Sequence, residues 1–190
     1  MPGRPRYNHF EMSESRAFPW LCAVLLPALA LVPTGCKRGL RSQQTEEGPA
    51  HYASVIRMGD PKVAGQLVRG FHNIEARAWR WTAREFQVAL GVPPGAAQKG
   101  ATLAVRLTVP PVILEQEGPV TLTASIAGTR FEPETYSTTG NFVFRRDVPA
   151  NLLAGNSVRV EFALDKAMPP TTSDQRQLGI VVLNVALEPK

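Results

Sequence analysis

From Gln66 onward the chain alternates apolar and polar residues with a period of two. In "TLAVRLTV", Leu103, Val105, Leu107 and Val109 fall on one side, and Thr102, Ala104, Arg106 and Thr108 on the other. "VTLTASIAG" sets Val120, Leu122, Ala124 and Ile126 against Thr121, Thr123 and Ser125. "SVRVEFALD" sets Val158, Val160, Phe162 and Leu164 against Arg159, Glu161 and Asp165, and "FQVAL" and "NFVFR" repeat the pattern briefly. Successive side chains of a strand point to opposite faces, so this alternation predicts half-buried antiparallel strands. The connections, among them "GVPPGAAQKG", "PPVILEQEGP" and "AMPPTTSDQ", are rich in Pro, Gly and polar residues that form turns. Seven or eight strands at this spacing predict an all-β fold, a two-sheet antiparallel β-sandwich of jelly-roll or immunoglobulin-like type. No helical stripe of ten residues follows Cys36, and "PANLLAGN" suffices for one helical turn.

The last strand, "LGIVVLNVALE", breaks the alternation. Val181, Leu183, Val185 and Leu187 make one apolar face, and Leu178, Ile180 and Val182 another. A strand apolar on both sides belongs in the middle of a sheet or beneath another element.

The N-terminal third has a different pattern. Ala17 to Pro33 is an uncharged apolar run, preceded by Arg16 and followed by Thr34, Gly35 and Cys36. It is shorter than the roughly 20 apolar residues a spanning helix needs, and prolines interrupt it. A short apolar core ending in small residues is the pattern of an export signal. Residues 1–36 are therefore expected to form a signal peptide or lipoprotein-type membrane anchor, with Met1 or Met12 as its start. "VPTGC" resembles a bacterial lipoprotein signal, which implies lipidation at Cys36; an uncleaved anchor and plain secretion are the other readings. Cys22 lies inside the apolar run, so a lipidated Cys36 leaves no thiol for a disulfide. Residues 37–64 are polar and aperiodic and read as a flexible linker, leaving 65–190 as the sandwich domain. The expected location is the cell envelope, membrane-anchored and facing the periplasm or the exterior.

The net charge of +5 narrows the function only by exclusion. It is spread out, with no Lys/Arg run longer than the pairs Lys37–Arg38 and Arg145–Arg146. The basic stripe of a nucleic-acid binder is missing, so no nucleic-acid partner is expected. Beyond the signal only His51 and His72 remain, without Cys or acidic residues at ligand spacing, so neither a metal nor a cofactor is expected. The pairs Glu115/Glu117 and Glu132/Glu134 lie in Pro/Gly-flanked connections rather than across a cleft as glycoside hydrolysis requires. No nucleophile or dinucleotide motif appears, and the chain reads as a non-enzyme.

Chemistry concentrates in "GFHNIEARAWRWTAREF" and "TTSDQRQLG". In a strand, Trp79 and Trp81 share one face and Arg80 takes the other, a spacing that lines a sugar-stacking groove or covers a core. Asp174 and Arg176 stand two apart, placed to pair with Arg80 or Glu75 or to hold a bend. Together these segments resemble a small all-β, carbohydrate-binding-like domain of bacterial proteins, often found with glycosyltransferases or envelope polysaccharide proteins. The matching residues are Gly70, Phe71, Ile74 and Glu75, then Trp79, Arg80, Trp81 and Thr82, then Asp174, Arg176, Leu178 and Gly179. The resemblance implies a structural role for Gly70, Glu75, Arg80, Trp81, Asp174 and Arg176. Phe71, His72, Trp79 and Arg84 remain as candidate ligand contacts. The expected function is non-catalytic binding of a glycan or another envelope component. The alternative is an assembly lipoprotein that binds a protein through a sheet face or edge, with Val112, Ile113 and Leu114 as loop contacts.

Overall fold

The computed structural model describes residues 51–190. The signal and lipidation site at 1–36, and the linker from 37 to 50, lie outside the described residues. Ten strands follow in order: β1 (Val55–Arg57), β2 (Leu67–Glu75), β3 (Trp79–Gly91), β4 (Ala101–Val109), β5 (Val120–Ile126), β6 (Thr129–Arg130), β7 (Glu134–Tyr136), β8 (Gly140–Val148), β9 (Ser157–Leu164) and β10 (Val181–Pro189). Two short helices, α1 (Ala96–Lys99) and α2 (Pro111–Glu117), fill connections. All pairings are antiparallel, along the path β6-β5-β9-β3-β10-β4-β8, with β1 on β10, β2 on β3 and β7 on β5.

The fold is a β-sandwich made by one long strand that serves both sheets. Near its start β3 pairs with β10 through Trp81↔Val181, and from Glu85 to Gly91 it pairs with β9. The chain of pairings thus curls, and the inner faces close on each other. Phe86, Val88 and Leu90 of β3 meet Val160 and Phe162 of β9, Leu122 of β5, and Val105 and Phe144 from β4 and β8 in one core cluster. Phe86 stacks on Phe162 with ring centroids 4.8 Å apart. The period-two reading holds for β5 and β9, where every second residue is buried. "ANL" (Ala150–Leu152) forms the expected single turn, as 3₁₀ helix.

Three expectations change. Residues 51–64 are not all tether: β1 pairs with β10, and Ile56 and Met58 are fully buried. The buried Gln66 fastens this segment, its Nε2 donating to the carbonyls of Ala53 and Ala89 and its Oε1 accepting the Ala53 N–H. A lone strand of three residues has no period to read, which is why the sequence hides it. "PVILEQE" is a helix rather than a loop, started by Pro at its first position and ended by Gly118 at φ 73°. Ile113 therefore points into the core, Leu114 is half-buried against it and Val112 is exposed. In the last strand, which begins at Val181, a bulge between Val182 and Asn184 turns Leu183 outward, 36% exposed, away from the side of Val185 and Leu187.

The test of the new domain boundary is Ile56→Ala. Loss of a fully buried branched side chain should cost about 2–5 kcal/mol of unfolding free energy in a urea titration. An unchanged midpoint would return the segment to the tether.

Candidate functional site

The chemistry-bearing segments meet at the β2–β3 hairpin. Its turn, Glu75–Ala78, is closed by the Ala78 N–H donating to the Glu75 carbonyl at 3.0 Å. Both central residues have positive φ, 49° at Ala76 and 55° at Arg77. A type I′ turn demands this because its twist matches the strands, and Asn-Gly is the usual filling. Alanine and arginine there carry backbone strain of about 1–2 kcal/mol each. The turn also rests closely on a neighbour, since a Cβ at Gly59 would stand 2.3 Å from the Arg77 carbonyl oxygen.

The segment entering β10 clamps this hairpin. The Arg176 guanidinium forks onto Asp174 (Nε–Oδ1 2.9 Å, Nη2–Oδ2 2.8 Å), and its Nη1 reaches Glu75 Oε1 at 2.7 Å. The Arg176 backbone N–H also donates to Asp174 Oδ1, which holds the bend. His72 Nε2 lies 2.7 Å from the Gln177 carbonyl; a carbonyl only accepts, so the proton sits on Nε2. Gln177 Oε1 in turn accepts the Arg84 N–H, and Arg84 Nε donates to the Leu164 carbonyl. Arg80 donates to the carbonyls of Met58 and His72, and burial lowers its pKa. Gly70 is required by contact as well as by its φ of 75°: a Cβ would lie 2.0 Å from the Glu85 carbonyl oxygen. Glu75, Asp174 and Arg176 thus form one connected ion-pair network beside the turn. The Arg176–Glu75 pairing and the Asp174 bend were among the arrangements the spacing allowed, whereas Arg80 bonds to backbone instead.

The four candidate contacts separate. Phe71 packs edge-on against Phe86 at 5.4 Å, His72 is held through Nε2 and Arg84 through Nε, and Arg84 remains exposed. Trp79 and Trp81 are half-buried on the same side of β3, centroids 6.3 Å apart and planes at 77°. Trp81 packs against the core cluster, while Trp79 stands outside it, at the hairpin end.

Beside this hairpin lies a cleft of about 390 Å³ whose lining includes Arg57, Asp60, Arg77, Arg106, Leu183 and Asn184. The sequence reading missed it, because it assembles β1, the hairpin, β4 and β10, and no spacing links those positions. A second cleft, about 330 Å³, crosses β3, β9 and β5 and holds Arg69, Glu85, Ser125 and Glu161. Arg69 pairs there with Glu85 at 3.1 Å, and Glu161 accepts from the neutral donors Gln87 and Ser125, while Arg130 and Asp165 complete the charged lining. Among the described residues, no group of three His, Cys, Asp or Glu could hold a metal ion.

No family model matches the chain, and no curated protein matches it. A solved structure described as "CBM4 structure and function" overlaps 72% of this chain and 85% of its own, at 13% identity and a TM-score of 0.33. At that identity and TM-score it assigns neither a ligand nor a residue.

The clamp has a pH signature. Hydrogen bonds from the Arg176 side chain and backbone hold the Asp174 carboxyl down at a pKa of about 2. The unfolded value is about 4. Stabilisation from this lowered pKa is complete above about pH 4 and is lost as the pH falls toward about 2. Asp174→Asn should therefore lower the urea midpoint at neutral pH and flatten its decline below about pH 4. Wild-type and variant curves that run parallel through that range would refute the linkage.

Proposed function

We propose that the domain is a non-catalytic, membrane-tethered β-sandwich that binds a glycan or another component of the cell envelope. The observation that carries this reading is the Trp79–Trp81 pair. Two indoles share one side of a strand, partly open, on a hairpin whose turn end is fixed by Arg80, Glu75 and Arg176. Indole faces stack on the C–H faces of sugars, and a rigid platform avoids the entropy of ordering side chains on binding. Arginine donors come from the cleft at the same turn, which is lined by Arg77 and by Ala78, the residue before Trp79. The tether rests on the apolar run and the "TGC" ending, which imply export and anchoring through Cys36 or through the uncleaved segment.

A second reading, a protein-binding assembly factor, draws on Val55, Val143 and Leu183, exposed at 44%, 44% and 36% on strands β1, β8 and β10. Scattered exposed aliphatics are common on protein surfaces, so this carries less weight than the aromatic pair.

Tryptophan fluorescence titrated with a broad oligosaccharide panel separates the two. A bound glycan should shift the emission, and Trp79→Ala should weaken binding at least about tenfold, about 1.4 kcal/mol, while costing the fold only the edge contact with Trp81, about 1 kcal/mol. Trp81→Ala should instead destabilise the fold by about 3 kcal/mol, because that ring covers core. A silent panel, together with a protein that co-purifies from solubilised envelope and survives glycosidase treatment, would replace the first reading with the second.

A further inference from the structure

We infer that the cleft between β1, the β2–β3 turn, β4 and β10 is an oxyanion site, so that the glycan bound at Trp79 carries an acidic group. The second half of this statement rests on the proposed glycan reading; the anion site itself does not.

Arg57, Arg77 and Arg106 line one cleft, and Asp60 is its one carboxylate. The Asp60 Oδ1 already accepts the Lys62 N–H at 2.9 Å as the cap of the following 3₁₀ turn. Among the described residues the six ion pairs use Arg69, Arg145, Arg146, Arg176 and Lys190, and none uses these three arginines. Like charges gathered around a concavity repel one another and focus a positive potential on it. A bound anion removes that repulsion.

The chemistry of the lining matches. Guanidinium groups present planar paired donors that fit carboxylate, phosphate and sulfate oxygens two at a time. Asn184 accepts the Arg106 N–H through its Oδ1 at 3.3 Å, which leaves its amide hydrogens as further donors. Leu183 gives the cleft an apolar wall.

Backbone strain points to the same place. Arg77 occupies a left-handed position where glycine is the natural choice, with Gly59 cleared beneath its carbonyl. Strained residues concentrate where function holds them against stability. The clefts also differ in charge balance, since the groove over β9 sets Arg69 and Arg130 against Glu85, Glu161 and Asp165, with Arg69 already paired to Glu85.

The test uses the folded domain with four probes: inorganic phosphate, an oligouronate, a neutral oligosaccharide of similar length, and vesicles containing anionic phospholipid. Phosphate is expected to shift the arginine Nε–H resonances in NMR spectra. The oligouronate is expected to bind at least tenfold tighter than the neutral sugar, the preference fading with salt. Arg77→Gly should raise the thermal midpoint by relieving the turn while abolishing that preference, so lost binding cannot be blamed on unfolding. Arg106→Gln should weaken binding of the oligouronate in the same direction. No response to phosphate, or equal affinity for both sugars unchanged by Arg77→Gly, would overturn the anion site and leave the glycan reading standing. Phosphate binding with neither sugar bound would uphold the site and overturn the glycan reading. Arginine-dependent binding to the vesicles in place of the oligouronate would overturn the assignment to a glycan.

Discussion

Thr82 is the point on which the two sheets depend. Its N–H donates to the Ile180 carbonyl at 2.9 Å, and its own carbonyl accepts the Gly179 N–H at 2.7 Å. Its hydroxyl lies 3.2 Å from both the Ile180 carbonyl, to which it donates, and the Ile180 N–H, from which it accepts. The residue is fully buried, so these groups have no water to fall back on, and losing them would expose the cost of unpaired polar atoms. Gly179 permits the approach, because a Cβ there would meet the Leu164 side chain at 2.5 Å and the Thr82 hydroxyl at 2.8 Å. This seam joins β3, which serves both sheets, to the segment that becomes the central strand β10.

What surrounds the seam follows from it. Once the chain before β10 lies along β3, Arg176 comes within reach of Glu75, Gln177 of His72 and Arg84, and the hairpin is fixed from the side. The same placement brings Leu183 and Asn184 of β10 beside Arg77, Arg57 and Arg106. The clamp therefore uses up most of the polar groups that first suggested a binding surface. Trp79 and the arginines of the cleft are left facing outward from a rigid frame. In this account the conspicuous cluster makes the fold, and the binding surface lies next to it.

How much of this was visible in the chain depends on whether the signal was local. Strands β4, β5 and β9 announce themselves because each has one core face and one solvent face, and alternation is a local pattern. The clamp was half legible: charged residues two apart before an apolar strand suggest a bend or an ion pair, and both exist around Arg176. The bulge at Leu183 was not legible, because Leu183 is as apolar as an inward-facing strand residue and a register shift leaves no local pattern. Nor was β1, since Ile56 and Met58 are core residues only because Gln66 and β10 bring them there. The arginine cleft was the least visible, being a property of register among strands distant in sequence. It is also where the proposed chemistry now concentrates.

Native-state hydrogen exchange at Thr82, Gly179 and Ile180 tests the central claim most directly. If the seam holds the two sheets together, these three amides exchange only through global unfolding, with free energies equal to that of the whole domain in denaturant titrations. Exchange by local opening, at free energies well below the global value while the β5 and β9 amides stay protected, would contradict the account.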